Sequence, residues 1–169
     1  MEDRQQWLSI AAVVLVIGGL GFFLYKRSRQ ATNEPTAMGE GVQIEDRANQ
    51  LLDQMNVKIP ENADKIGLKD VSGGDATGIA TKSFNNNVFS GSIIAALPEL
   101  GSGEFYEGWL VREDPFDLVG VGKLRQAKGG WMVDFTSNTD LSDHKQVVVT
   151  QEMVDDQKPE KHILEGQFN

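Results

Sequence analysis

One stretch near the start of this chain limits what it can fold into more than any other. From Leu8 to Tyr25 (LSIAAVVLVIGGLGFFLY) every residue is apolar or small, and Ser9 is the only polar side chain in 18 positions. At about 1.5 Å per residue a helix of this length reaches roughly 27 Å, close to the hydrocarbon thickness of a bilayer. Trp7 and Tyr25 bracket the run, where amphipathic rings favour the headgroup level, and Lys26, Arg27 and Arg29 follow directly. The pattern predicts a single spanning helix with the bilayer as the partner of residues 8–25, anchored by Trp7 and Leu8 at one end and Tyr25, Lys26 and Arg27 at the other. A cleaved signal peptide would want a basic start and small residues after the run, whereas Glu2 and Asp3 come first here and Phe22 and Phe23 come late. Gly18, Gly19 and Gly21 would let a second helix approach closely, or are simply tolerated.

The remainder has a different character. The whole chain carries a net charge of -9, but the residues after Arg29 hold 12 basic and 23 acidic side chains, a net of -11. Such a domain repels nucleic acid and anionic lipid headgroups, since phosphate neutralisation needs clustered Lys and Arg. With no cysteine among 169 residues there are no disulfides, thiolate metal sites or thiol nucleophiles. Residues 1–29 therefore read as a membrane anchor, 30–43 as a polar, flexible linker containing Pro35, and 44–169 as a β-sandwich domain with a short leading helix at about 44–56. The helix is marked by Ile44, Ala48, Leu51, Leu52 and Met55 at spacings of three and four, and by Asn56, Val57 and Pro60 as its stop.

From Lys65 onward the period changes to two. Eight strands are predicted: Lys65–Val71, Thr77–Phe84, Val88–Leu97, Glu104–Arg112, Asp117–Arg125, Gly130–Thr136, Lys145–Glu152 and His162–Phe168. Turn residues such as Asn85-Asn86-Asn87 and Gly101-Ser102-Gly103 punctuate them. Eight short strands without helices between them predict an antiparallel sandwich. Alternation assigns Phe89, Ile93, Ala95 and Leu97 to the interior, with Phe105, Trp109, Val111, Trp131, Val133 and Phe135. Val147, Val148 and Val149 are consecutive, as in a strand covered on both faces.

These strands carry motifs. LKDVSGGDATGIATKSF (Leu68–Phe84), ALPELGSGEFYEGWLV (Ala96–Val111), and then VGVGKL, GGWMVDF, VVVTQE and HILEGQF resemble the C-terminal extracytoplasmic domain of anti-sigma-K-type factors, over Lys65 to Phe168. The more specific part is Leu97, Pro98, Gly103, Tyr106, Glu107, Gly108 and Trp109, with Val149 and Thr150 later. The resemblance implies an immunoglobulin-like β-sandwich, tethered outside the cytoplasmic membrane by one helix. With the anchor and the linker, this placement makes another envelope protein the expected partner. Positive charge after the span points the other way, but long C-terminal domains translocate largely regardless of loop charge, so a single-pass plasma-membrane protein with an extracytoplasmic domain is expected. Members that sequester a sigma factor carry a cytoplasmic helical domain ahead of the span. Met1–Trp7 is too short for that, or for an interface of about 800 Å² per partner, so direct sigma binding is not expected.

Little in the sequence points to chemistry. The two histidines are His144 and His162, and in Ser142-Asp143-His144 the residue types of a hydrolytic triad are chain neighbours, which cannot adopt triad geometry among themselves. Acidic clusters at Glu113-Asp114-Asp117, Asp140-Asp143 and Asp155-Asp156-Glu160 lack the fixed spacing of a calcium loop and read as solvated loops. The expectation is a non-enzymatic binding or sensory module with no cofactor and no metal. The alternative is a regulatory transmembrane signalling component acting through a separate cytoplasmic partner.

Overall fold

The structure, a computed structural model, describes residues 46–47, 49–127 and 129–169. The expected anchor, with Trp7, Leu8, Tyr25, Lys26 and Arg27, and the expected linker lie outside the described residues. Among those described, no helix is long and apolar enough to cross a membrane.

A short helix, α1, is formed by residues 46–47 and 49–55. It ends as its sequence predicts, and the geometry shows why. Asn56 adopts φ 53°, its N–H bonds the Asp53 carbonyl, and the Val57 N–H reaches back to the Leu52 carbonyl at 3.0 Å. This is the paired hydrogen-bond pattern of a left-handed helix terminus. Leu51 and Met55 are buried on Ile94, with Leu52 and Val57 packed alongside, so α1 covers an outer face of the sheet.

Nine strands follow: β1 (Asp64–Asp70), β2 (Thr77–Asn85), β3 (Val88–Ala96), β4 (Phe105–Arg112), β5 (Asp117–Lys123), β6 (Arg125–Ala127), β7 (Gly130–Ser137), β8 (Gln146–Glu152) and β9 (Lys161–Gln167). The ninth arises because the predicted strand Asp117–Arg125 is cut at Leu124. All ladders are antiparallel. The tight β2–β3 hairpin turns on Asn86 and Asn87 at φ 52° and 60°, the left-handed pair that a two-residue hairpin loop requires.

The strands form one continuous ladder in the order β5-β4-β8-β9-β1-β2-β3-β7-β6. β5 and β6 stand at opposite ends of that order, yet only Leu124 separates them in the chain. One residue advances the chain by less than about 4 Å, so β5 and β6 follow end to end, pairing with β4 before Leu124 and with β7 after it, and the sheet is rolled into a barrel-like form. Leu124 makes the crossover buried, with its N–H on the Tyr106 carbonyl at 2.8 Å. A period-two pattern does not distinguish a rolled sheet from two facing sheets, because both alternate buried and open positions.

Phe89, Ile93, Ala95, Val133, Val147 and Val149 fill the interior, with Leu97, Trp131 and Phe135 packed against them. Val148 lies on the opposite face, in keeping with a strand covered on both sides. On β4 the expected faces are reversed: Tyr106 and Leu110 point into the main core, while Trp109 and Val111 form a separate buried cluster with Val148 outside the sheet. Both faces of this strand are apolar, so alternation alone does not choose between them. Gly108 does. A Cβ there would lie 2.7 Å from Ile93 Cδ1 and 2.9 Å from Val121 Cγ2, so core atoms already occupy its space, and a strand glycine is blank to a hydrophobic pattern.

Candidate binding cleft

The two halves of the motif block do different work. Tyr106 donates its hydroxyl to the Pro98 carbonyl at 3.2 Å and sets its ring edge-on to Trp131 at 5.1 Å. Leu97 packs on the main core, and the Gly101 N–H bonds Glu104 Oε2 at 2.6 Å in a turn where Gly103 adopts φ +85°. Leu97, Pro98, Gly103 and Tyr106 thus fasten the β3–β4 connection to the barrel. Burial, with the repulsion of Glu104 and Glu99, raises the Tyr106 hydroxyl above its ordinary pKa.

Glu107 and Trp109 face outward. The β4–β8 register sets Glu107 opposite Thr150 and Gly108 opposite Val149, bringing together residues about forty positions apart in the chain. Trp109 Nε1–H donates to Thr150 Oγ1 at 2.8 Å, and both residues are buried. Two positions beyond Thr150 on the same face stands Glu152, which the sequence reading did not single out. It is 1% exposed; its Oε1 accepts the Glu160 N–H at 3.0 Å, and its Oε2 has no hydrogen-bond partner among the described residues. Glu107 Oε2 is also buried and unpartnered.

The segment from Met153 to Glu160 folds back over this face. Glu160 accepts the Met153 N–H at 2.6 Å, and Asp155 pairs with Lys123 at 2.8 Å, whose ammonium also lies 4.0 Å from the Phe105 ring centroid. Between this segment and the sheet is a cleft of about 690 Å³, walled by Glu107, Trp109, Leu118, Val119 and Gly120 on the sheet side and by Asp155, Asp156 and Gln157 on the other. Burial, then the charges of Glu152 and Asp155, push the Glu107 carboxyl above the ordinary carboxylate range, against the opposing pull of Lys123. A carboxylate short of donors, in an acidic surround, calls for a cation with N–H groups to give. Among the described residues no group of three or more His, Asp or Glu side chains is placed to hold a metal ion.

The remaining charged loops are held in latches. His144, 1% exposed, sets Nδ1 against Asp143 Oδ1 at 2.8 Å and Nε2 against Asp117 Oδ2 at 3.1 Å. Arg112 ties the same two carboxylates together, at 2.6 Å to Asp143 and 3.3 Å to Asp117. The latch fastens the β4–β5 hairpin to the loop before β8. Both ring nitrogens of His144 face carboxylates, while Ser142 bonds Asp140 through its backbone N–H. His162, at the start of β9, pairs with Glu165 at 2.7 Å. Asp70 organises the β1–β2 turn by accepting N–H groups from Ser72, Gly74 and Ala76. Its partial burial acts upward on its pKa, but these bonds outweigh it and the carboxyl lies below its ordinary value.

No family model, curated protein or solved structure matches the chain.

Proposed function

We propose that this chain is a membrane-tethered recognition protein. In this reading the Leu8–Tyr25 helix anchors it, residues 30–43 carry the domain away from the bilayer, and the acidic β domain lies outside the cytoplasm and binds another envelope protein. The observation that carries the binding reading is the cleft between β4–β5 and residues 155–157, where the Oε2 atom of the lining residue Glu107 is buried without a donor among the described residues. Leaving a buried acceptor unpaired costs about 1–3 kcal/mol, which a ligand bringing the missing donor would recover. The resemblance of Leu68–Phe84 and Ala96–Val111 to the outer domain of anti-sigma-K-type factors supports the same placement, and the immunoglobulin-like description implied by it is the finer form of the barrel-like sheet that this proposal adopts.

The placement is tested by adding protease to intact cells expressing the full chain with a C-terminal epitope. Loss of the epitope without lysis, together with retention of the anchor in the membrane fraction after alkaline carbonate extraction, is the expected result. An epitope that survives until the cells are broken would overturn the extracytoplasmic placement, and release by carbonate would overturn the anchor.

A further inference from the structure

β5 and β6 are one run of chain bent at Leu124, which pairs with β4 before the bend and with β7 after it. The run thus joins the two sides of the rolled sheet, but the β5 residues before the bend have no ladder on their second side among the described residues and keep an open edge there. Among the described residues the single ladder partner of β5 is β4, and none of its seven residues is buried. Near the crossover the seam is packed by Val121 and Val133, whose methyl groups converge on the space beside Gly108. Natural edges are blunted by Lys, by Pro or by bulges. β5 has such devices at its Lys123 end, with the ladder irregularity at Gly108/Trp109 and Gly122 at φ +116°. Leu118-Val119-Gly120 has none.

The acidic cleft lies against this same edge. Leu118, Val119 and Gly120 line the cleft, so it borders the stretch of β5 that has no blunting device. We propose that β5 accepts an extended segment of a basic partner protein as an added strand, and that a Lys or Arg side chain of that segment enters the cleft against Glu107. Strand addition supplies main-chain hydrogen bonds, and alternate side chains, falling on one face, supply selectivity. The charge of the pocket selects the partner: Glu107 Oε2 lacks a donor, Asp155 and Asp156 stand opposite, and the chain beyond Arg29 carries a net of -11. An acidic segment would meet repulsion at each of these groups. The absence of a metal-holding group among the described residues leaves an organic cation, with several N–H donors on a flexible stem, as the matching chemistry.

This inference rests on the domain being a recognition module but not on which side of the membrane it lies. The full chain is reconstituted in phosphatidylcholine nanodiscs and titrated against a fluorescein-labelled nine-residue Thr/Val peptide with one central lysine, read by anisotropy against empty nanodiscs. Saturable binding is expected, with amide-exchange protection appearing at Leu118–Val121. Glu107→Gln, which removes a charge-assisted bond, should weaken it about ten- to a hundredfold. A peptide with glutamate in place of lysine should bind at least about tenfold more weakly, and N-methylation of alternate amides along one peptide edge should abolish binding. The peptide variants leave the protein untouched, so misfolding of Glu107→Gln cannot mask the answer. No saturable binding up to about 1 mM, equal binding of the lysine and glutamate peptides, or full binding after N-methylation would each overturn the proposal. Failure here with the epitope still cleaved on intact cells rejects the basic strand partner and leaves the extracytoplasmic placement standing.

Discussion

Replacing Thr150 by Val isolates one buried hydrogen bond with almost no change in shape. Thr150 is 0% and Trp109 2% exposed, and among the described residues the 2.8 Å bond to Oγ1 is the one polar contact of the indole Nε1–H. The hydroxyl's other contact, to the Glu107 carbonyl, is 3.5 Å long and contributes little. The variant keeps the volume and leaves an indole N–H facing a methyl group among Val111 and Val148. That loss is the desolvation cost of an unpaired donor, about 1–3 kcal/mol, and a central value near 2 shifts the unfolding equilibrium roughly 30-fold. Thr150→Ser restores the acceptor and removes a methyl, so it should cost about 1 kcal/mol. Urea unfolding of the full chain in detergent, followed by near-ultraviolet circular dichroism, measures both. The expected order is wild type, Ser, Val. A Thr150→Val protein as stable as wild type to within about 0.5 kcal/mol, or less destabilised than Thr150→Ser, would refute the assignment of this bond as what fixes Trp109 outside the sheet.

Gly108→Ala should destabilise by about 1–3 kcal/mol, because its Cβ would press on Ile93 and Val121 in the main core; an unchanged midpoint in the same urea assay would show that the core yields. His144→Ala should cost about 2–4 kcal/mol and make the chain between Arg112 and Asp117 cleavable by limited proteolysis, since it removes a buried ring from the latch; an unchanged digest pattern would contradict that role. Asp143 is held below its ordinary 3.8, first by the hydrogen bond from Arg112 and against the effect of burial, so its contribution is present above that value and lost as pH falls through the folded one. Asp143→Asn should accordingly flatten the stability-against-pH curve below about pH 4. Glu107 has the opposite sign. Its carboxyl is raised above 4.5 by burial and then by Glu152, so it favours the fold below that value and becomes a cost as pH rises through the folded one. Glu107→Gln should be more stable than wild type at pH 7, with the gap closing towards pH 4.5 and below; a gap independent of pH would show that charge is not its source.

Most strands were legible because each alternates and each is closed by a residue with a reason to turn. Asn86 and Asn87 tolerate positive φ at the β2–β3 hairpin, and Asn56 does the same at the end of α1. The crossover at Leu124 was not legible. DLVGVGKLR reads as one alternating strand, and only the spatial order of the nine strands reveals that the chain passes from one edge of the sheet to the other. The reversed faces of β4 have a similar origin, since a pattern of apolar side chains gives no weight to the packing of Gly108. The motif block marked Glu107, Trp109 and Thr150, but as family residues with no stated partner. Glu152 carried a usable signal: it continues the outward series Val148, Thr150 on a strand covered on both faces, where a carboxylate is out of place. The acidic run Asp155-Asp156 carried no such signal, because its role depends on the 153–160 segment folding back over the sheet, a long-range event that no local period encodes.

The open edge of β5 and the acidic cleft each have a bland explanation when taken alone. Small domains tolerate one imperfect edge, and acidic loops keep proteins soluble. Their coincidence is harder to dismiss. The stretch of β5 without a blunting device is the stretch that lines the cleft, and the cleft holds a carboxylate whose burial works against stability at neutral pH. Two costs at one location are what a recognition site requires, because an edge needs a partner's main chain and a donor-poor carboxylate needs a partner's cation. A segment that supplied both would relieve them together, so each contact would strengthen the other. The coupling separates a built site from two unrelated defects: in a double-mutant cycle between Glu107→Gln and the lysine-to-glutamine peptide, a site predicts non-additive losses, and independent defects predict losses that simply add.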